Sequence, residues 1–160
     1  MKKRVCALLL LFLLCLLTAC GQRTGADGPY RIYFLPDRQT GYGSALAAQD
    51  WEGTGTPLSE ELMQALLDGP TQEGLVSPFP RGLSVQSLEL EGDTICVTLS
   101  EHYSGLTDMA QTLADACIVM TLCQLPGVEA VEISADGFWA SRPASRTLTP
   151  EQLELSSLLR

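Results

Sequence analysis

The residue types that most often carry out catalysis are sparse in this sequence. His102 is its only histidine, and it follows a predicted strand in the segment Glu101-His102-Tyr103-Ser104. A histidine in such a position could act as a catalytic base. No serine or cysteine nucleophile motif accompanies it, and a catalytic triad is defined by geometry that one residue does not supply. We therefore interpret His102 as a solvated surface residue and predict no catalytic residue.

Two carboxylate pairs, Asp50/Glu52 and Glu89/Glu91, are each spaced two residues apart. In a strand this spacing places both side chains on one face, where glycosidase chemistry or cation binding is the functional interpretation. The chain has 19 Asp and Glu residues, so pairs arise by chance and solvated strand faces are the simpler interpretation. No CxxC or cysteine–histidine cluster indicates a metal site. Neither a metal nor another cofactor is predicted.

The N-terminal segment carries the clearest chemical signal. Basic residues 2–4 precede an apolar run from Val5 to Leu17, as in secretory signals. The run is shorter than the roughly 20 residues that a membrane-spanning helix needs. It ends in Leu17-Thr18-Ala19-Cys20, which resembles a bacterial lipobox, in which the cysteine thiol receives a diacylglyceryl group. We predict a signal peptide at residues 1–19 and lipid attachment at Cys20, on the extracytoplasmic face of the cell membrane; an ordinary cleaved signal is the alternative.

The charge of the mature chain excludes one class of partner. Removal of residues 1–19 takes three of the ten basic residues and none of the 19 acidic ones, so the formal net charge changes from −9 to −12. Nucleic-acid binding needs clusters of Lys and Arg and is not expected. An anionic lipid surface would also repel this chain. The acylated cysteine is therefore the predicted contact with the lipid membrane.

Three further cysteines remain after processing, and none is predicted to form a disulfide. Cys117 and Cys123 lie six residues apart in one predicted helix, about 9 Å along its axis. A disulfide requires Cα atoms within about 7 Å. Together with Cys96 they are predicted to be buried, unpaired thiols that pack as small apolar groups.

Residues 30–138 show the periodicities of one small α+β domain. Strands are predicted at residues 30–35, 83–90, 94–99 and 128–135, with a weaker one at 44–51, a hairpin turn at Gly92-Asp93 and a bulge near Gln86-Ser87. Helices are predicted at residues 57–68 and 107–124, and the second is apolar on several sides, which indicates burial. The order β-(β)-α-β-β-α-β predicts a mixed β-sheet with two main helices on one face.

The flanking segments are predicted to be less regular. Glycine-rich, polar residues 20–29 are typical of a flexible tether. Residues 139–160 are predicted to be a C-terminal tail with a short helix, which starts in a capping box of Thr149 and Gln152. Phe138 and Trp139 follow the last predicted turn and either cover the core or form an exposed aromatic patch. Trp139 is the better candidate for an interface.

Several segments together resemble the GerMN domain, named for the spore-germination protein GerM and common in lipoproteins of Gram-positive bacteria. The resemblance rests on Leu66-Leu67-Asp68-Gly69-Pro70 at the end of the first helix and on TLCQLPGVEAV at residues 121–131. PFPRG at residues 78–82 and VTLS at residues 97–100 complete the pattern. It implies a fold similar to the ring-building domains of secretion and sporulation channels. It also implies a non-enzymatic module, with no catalytic residues to carry over.

The anchor and the resemblance together predict a membrane-anchored lipoprotein of sporulation, germination or cell-envelope assembly. Its domain would bind an unidentified envelope or sporulation protein or would oligomerise. The alternative is an envelope protein that binds or processes peptidoglycan. An enzyme should show convergent polar groups in a cleft around His102 or an acidic pair. An interaction module should instead show exposed apolar side chains on a sheet edge or a helix face.

Overall fold

A computed structural model describes residues 30–37, 44–136 and 145–154. Cys20, Phe138 and Trp139 lie outside these ranges. The strands are β1 (Arg31–Pro36), β2 (Ala47–Asp50), β3 (Leu75–Val76), β4 (Val85–Glu91), β5 (Thr94–Leu99), β6 (Ala130–Ala135) and β7 (Ser145–Leu148). The helices are α1 (Ser59–Asp68), α2 (Asp108–Leu122) and α3 (Pro150–Glu154), with a 3-10 helix at Glu101–Gly105.

The described strands form two sheets. One has the order β2-β1-β3 and is antiparallel, and the other has the order β4-β5-β6-β7. In the second sheet β5 and β6 are parallel and the outer pairs are antiparallel, so this sheet is mixed. The crossover from β5 to β6 passes through the 3-10 helix and α2, because a parallel pair needs a long connection. The predicted α+β class is confirmed.

The β4–β5 hairpin forms as its pattern predicts. Gly92 has φ +66° at the first central position of the two-residue turn, a geometry that favours glycine. The register shifts between Val85 and Ser87, which is the predicted bulge. The capping box of α3 also forms: the Thr149 amide donates to Gln152 Oε1 at 3.2 Å, and the Gln152 amide donates to Thr149 Oγ1 at 3.4 Å.

Two strands were not predicted from the sequence. β3 lies between the first predicted helix and the strand predicted at residues 83–90, and it pairs with the end of β1. β7 lies inside the segment interpreted as a tail and pairs with β6 along its whole length. In addition, α1 begins at Ser59 with Leu58 as its N-cap, so Pro57 precedes the helix instead of occupying its first turn.

Helix α2 forms the centre of the core. It contacts β1 of the first sheet, β6 of the second sheet and also α1. The predicted burial of its second half on several sides is confirmed, since residues 114–119, 121 and 122 are all buried. Within the described residues, no helix combines the length and the apolar character needed to cross a membrane.

The polar residues of the TLCQLPG segment hold β1 against the end of α2. Backbone groups alternate in direction along a strand, and the Tyr30 carbonyl accepts from the Trp51 amide next to β2. The groups of Arg31 and Tyr33 therefore point to the opposite edge. There the Gln124 amide group accepts from the Arg31 amide at 3.0 Å and donates to its carbonyl at 2.7 Å. Buried Thr121 Oγ1 accepts from the Tyr33 amide at 3.1 Å.

Candidate functional site

A polar groove lies where β5 and β6 end and β4 begins. It encloses about 320 Å³ and is lined by Gly82, Ser84, Gln86, Ser100, Glu101, His102 and Asp136. These residues meet because parallel β5 and β6 end at the same edge of the sheet, while antiparallel β4 starts there. The ring of His102 lies over Gly82, where an added Cβ would be 3.7 Å from Nε2 and where φ is +84°. The predicted single histidine is thus exposed in a shallow polar site.

The hydrogen bonds of this groove are structural. Ser100 Oγ accepts from the Ser84 amide at 3.1 Å, and the Ser84 carbonyl accepts from the Ser100 amide at 2.9 Å. Ser84 Oγ accepts from the Gln86 side chain at 3.2 Å. Among the described residues, His102 is not hydrogen-bonded to either serine. A nucleophile–base pair is therefore not assembled here, because it needs the two side chains within hydrogen-bonding distance.

The two carboxylate pairs lie in different surroundings. Asp50 ends β2 and Oδ1 lies 3.6 Å from Nε of Arg31, with both side chains more than half exposed. Such a surface ion pair contributes little to stability. Glu89 and Glu91 share one face of β4, as their spacing predicts. In the described ranges, no group of three His, Cys, Asp or Glu side chains converges as a metal site would require.

The outer face of the four-stranded sheet is acidic around Cys96. The register places Glu89 and Glu132 directly beside Cys96 on its two neighbouring strands. Partial burial raises the pKa of the Cys96 thiol, and the charges of Glu91, Glu132 and Glu89 raise it further. Three carboxylates therefore surround the Cys96 thiol on this face and disfavour its negatively charged form.

A buried polar network, missed in the sequence, joins three elements. Tyr103 of the 3-10 helix donates through its hydroxyl to Asp115 Oδ1, and Arg146 of β7 forms an ion pair with Asp115 Oδ2. Tyr103 and Asp115 are each 1% exposed. A signal for it existed: Asp115 is a charged residue between Ala114 and Ala116 in the apolar half of α2. A buried carboxylate requires partners.

Burial dominates the titration of this network. Desolvation raises the pKa of Asp115 above its ordinary value, while the Tyr103 hydroxyl and the Arg146 guanidinium oppose that rise. The pKa of Tyr103 is raised by desolvation and by the negative charge of Asp115. The network braces α2, β7 and the 3-10 helix against one another, with Tyr103 and Asp115 buried and the Arg146 side chain 38% exposed at its outer end.

The three thiols of the domain are free, and they differ in burial. Cys117 is buried, whereas Cys96 and Cys123 are partly exposed. The prediction that all three are buried is therefore wrong for two of them, because Cys96 lies on the outer sheet face and Cys123 follows the last turn of α2. Desolvation raises the pKa of Cys117 to about 12, and desolvation with the charge of Glu151 raises that of Cys123 to about 11.

Thiol labelling of the folded chain should follow this order. The thiolate is the reactive form of a cysteine. We therefore expect Cys96 to react first, Cys123 to react at roughly a tenth of the rate of Cys96 or more slowly, and Cys117 to react last. Peptide mass spectrometry after maleimide treatment measures the three rates, and denaturation without reductant should equalise them. The raised pKa values of these thiols also mean that the folded chain holds more protons than the unfolded chain above about pH 9. The free energy of unfolding should therefore fall as the pH rises above about 9. Faster labelling of Cys117 than Cys96 would contradict this arrangement.

The aromatic residues in described loops pack against the core. Tyr30 and Trp51 form an edge-to-face pair with ring centroids 6.3 Å apart. Trp51 and Phe79 are partly buried against the core cluster. The lipid-attachment residue Cys20 and the interface candidates Phe138 and Trp139 lie outside the described residues, so those assignments stay predictions.

Comparison with solved structures defines the class: this α+β fold is that of a GerMN domain. The first GerMN domain of the sporulation protein GerM from Bacillus subtilis is similar, with a TM-score of 0.53 and 15% identity over 67% of this chain and 83% of that one. The tandem GerMN domains of GerM match with a TM-score of 0.52 and 17% identity over 76% of this chain. This chain spans 43% of that tandem structure, which is less than half its length.

A third structure, a Clostridium perfringens chain described as a "putative lipoprotein", has a TM-score of 0.52 and 20% identity, over 84% of this chain and 95% of that one. A comparison with curated protein sequences gave no match. The model of the Germane family, described as "Sporulation and spore germination", matches residues 31–139. The chain therefore belongs to the Germane family, and this membership confirms the resemblance to GerMN domains. The GerMN domain family is not known as enzymatic.

Proposed function

We propose that this protein is a lipid-anchored, extracytoplasmic lipoprotein whose GerMN domain acts as a non-enzymatic interaction module. The role lies in sporulation, germination or cell-envelope assembly, and the module binds a protein partner. The observation that carries the proposal is the exposure of large apolar side chains at the ends and edges of elements. Leu90 on β4 is 59% exposed, Met109 on α2 is 58% exposed, and Leu58 before α1 is 65% exposed. Among the described residues no buried polar side-chain atom lacks a hydrogen-bond partner, so these exposed apolar groups are the feature that favours association.

The membrane anchor rests on the sequence and on one relative. The lipobox-like segment ends at Cys20, ten residues before the first described residue, Tyr30. The similar Clostridium perfringens chain is described as a lipoprotein, and the similarity extends over 95% of it. Acylation of Cys20 would place the domain outside the cytoplasmic membrane, where sporulation and envelope assemblies are built.

The groove around His102 favours a second candidate, an envelope protein that binds peptidoglycan. Exposed Glu101, His102 and Asp136 offer a carboxylate, an imidazole and a second carboxylate to the hydroxyl and amide groups of a wall glycan. The groove is shallow and its serines serve the β4–β5 pair. Binding without cleavage is the activity that such a groove would support.

Replacement of the groove and of the aromatic residues separates the two candidates. In a strain whose only copy is the variant, we expect His102→Ala and Glu101→Gln to preserve sporulation or envelope integrity. We expect Trp139→Glu to abolish partner capture while thermal unfolding stays unchanged, because a charge disrupts an apolar contact. Loss of function in His102→Ala together with normal partner capture by Trp139→Glu would contradict the interaction module and would support the peptidoglycan-binding groove.

A further inference from the structure

Strand β4 leaves one row of its backbone groups without a strand partner in the described part of the chain. It forms an outer edge of its sheet and pairs only with β5 there. Glu91 and Thr94 flank the two-residue turn, and such a pair exchanges both of its backbone hydrogen bonds. Alternation then directs the amide and carbonyl groups of Leu90 and Leu88 away from β5. An exposed row of this kind is a template for another strand.

The two faces of β4 differ in chemistry at this edge. Leu88 and Leu90 continue rows that contain buried Val97 and Ile95 on β5, so the apolar core face runs out to the edge and ends at exposed Leu90. On the opposite face, Glu89 and Glu91 are exposed. An added strand would therefore find an apolar neighbour and an acidic neighbour at alternate positions.

Charge determines which strand fits. Antiparallel pairing of β4 with β4 of a second copy would bring Glu89 and Glu91 of both copies onto one face, and facing like charges are destabilising. A mature chain with a net charge of −12 adds long-range repulsion. A segment with Lys or Arg at alternate positions would instead place a positive charge beside Glu89 and Glu91, so each cross-strand pair would be attractive.

We propose that the outer edge of β4 accepts an extended partner segment in which basic and apolar residues alternate, as an added strand. This inference rests on the proposed function and specifies the chemistry of the partner. The backbone groups of Leu88 and Leu90 supply affinity, the exposed side chain of Leu90 receives the apolar residues, and Glu89 and Glu91 select the basic ones. This is strand addition to a sheet edge, with specificity from alternate side chains.

Three synthetic peptides of about six residues, the length of an average strand, test the selection. One alternates Lys and Val, one has the same composition with the Lys and Val residues in two blocks, and one alternates Glu and Val. With the full chain in detergent micelles, we expect the alternating Lys peptide to bind at least about ten times more tightly than the other two. Added salt should weaken it through screening. Equal affinity of the two Lys peptides, or binding of the Glu peptide, would overturn strand addition.

Hydrogen exchange and two variants at one position test the geometry. The bound peptide should slow amide exchange at Leu88 and Leu90, while Glu89 and Glu91, already bonded to β5, should change little. Leu90→Pro removes the outward amide and leaves the β4–β5 bonds, a change tolerated on edge strands, so affinity should fall roughly tenfold or more. Leu90→Ala keeps that amide, so its affinity for the peptide should fall by less than that of Leu90→Pro. Equal losses in both variants, or unchanged exchange at Leu88 in the native chain, would contradict the proposal.

A cross-linking residue introduced at position 90 or at position 139 distinguishes this inference from the proposed function. Cross-links in cells from position 139 alone, together with no peptide binding, would refute the role of β4 and leave the interaction module standing. No cross-link from either position would refute the module itself, whatever the peptides do. Cross-linking of two copies through position 90, together with a dimer in sedimentation, would overturn the proposed basic segment. It would show that the partner of β4 is a second copy of this chain.

Discussion

Labelled palmitate is expected in the native protein and absent from the Cys20→Ala variant. In the proposed lipobox the thiol of Cys20 would be the nucleophile that takes the diacylglyceryl group, and alanine offers none. Two acyl chains contribute about 0.8 kcal/mol for each buried methylene, which makes the attachment effectively permanent. Native protein should therefore sediment with membranes, and the variant should lose that association almost completely.

Two domain cysteines serve as matched controls for this experiment. Cys96→Ala and Cys123→Ala each remove a partly exposed thiol that lies within the described domain. Both variants should retain the label at the native level. Equal labelling of native protein and Cys20→Ala would remove the lipid anchor from the proposed function and favour an ordinary cleaved signal.

The second large effect is expected from Arg146→Met, which leaves the buried carboxylate of Asp115 without its cation. Methionine keeps much of the side-chain volume, so the loss is mainly electrostatic. Removal of one partner from a fully buried ion pair costs about 3 kcal/mol in the free energy of unfolding. Arg146 is 38% exposed, so solvent screens part of this interaction and we expect a loss of roughly 1 to 3 kcal/mol, which Tyr103 can offset only with one hydrogen bond. Denaturant unfolding monitored by circular dichroism measures the loss.

The pH dependence of that loss distinguishes it from simple changes in packing. The folded pKa of Asp115 already lies above its ordinary value, and loss of the guanidinium that lowers it must raise it further. A group with a raised folded pKa stabilises the fold below its unfolded pKa, and that stabilisation is lost as pH rises through the folded pKa. The difference between variant and native protein should therefore be largest near neutral pH and shrink towards pH 4.

Arg31→Met is the matched control, because Arg31 pairs with Asp50 where both side chains are more than half exposed. This substitution should change the free energy of unfolding by less than about 0.5 kcal/mol. A loss at Arg146 that is no larger than at Arg31, or one that is constant between pH 4 and pH 7, would mean that the Asp115 pair does not brace the core.

Local patterns predicted those elements whose structure depends on near neighbours. The β4–β5 hairpin, its bulge and the capping box of α3 involve contacts between residues that are 3 to 14 positions apart. The burial of α2 was visible because its second half is apolar on several sides. The α+β class followed from these elements together.

Elements that depend on distant contacts were missed. β7 has four residues without clear alternation, and it is a strand because β6 offers an edge and Asp115, 31 residues earlier, offers a partner for Arg146. β3 has two residues and depends on the end of β1. The groove was missed for the same reason: its lining comes from the ends of three strands, which only the sheet register brings together. His102 alone gave no sign of those neighbours.

The hydrogen bonds on both edges of β1 have a mechanical consequence. A domain held by its N-terminal end and pulled from elsewhere bears the load first at Arg31, the start of its first strand. On one side β1 is hydrogen-bonded to β2. On the other side the backbone amides of Arg31 and Tyr33 donate to the side chains of Gln124 and Thr121. Two rows of bonds must therefore break before the strand is extracted. Thr121 lies in the last turn of α2 and Gln124 lies two residues after its end, so the force passes from β1 to the end of the central helix.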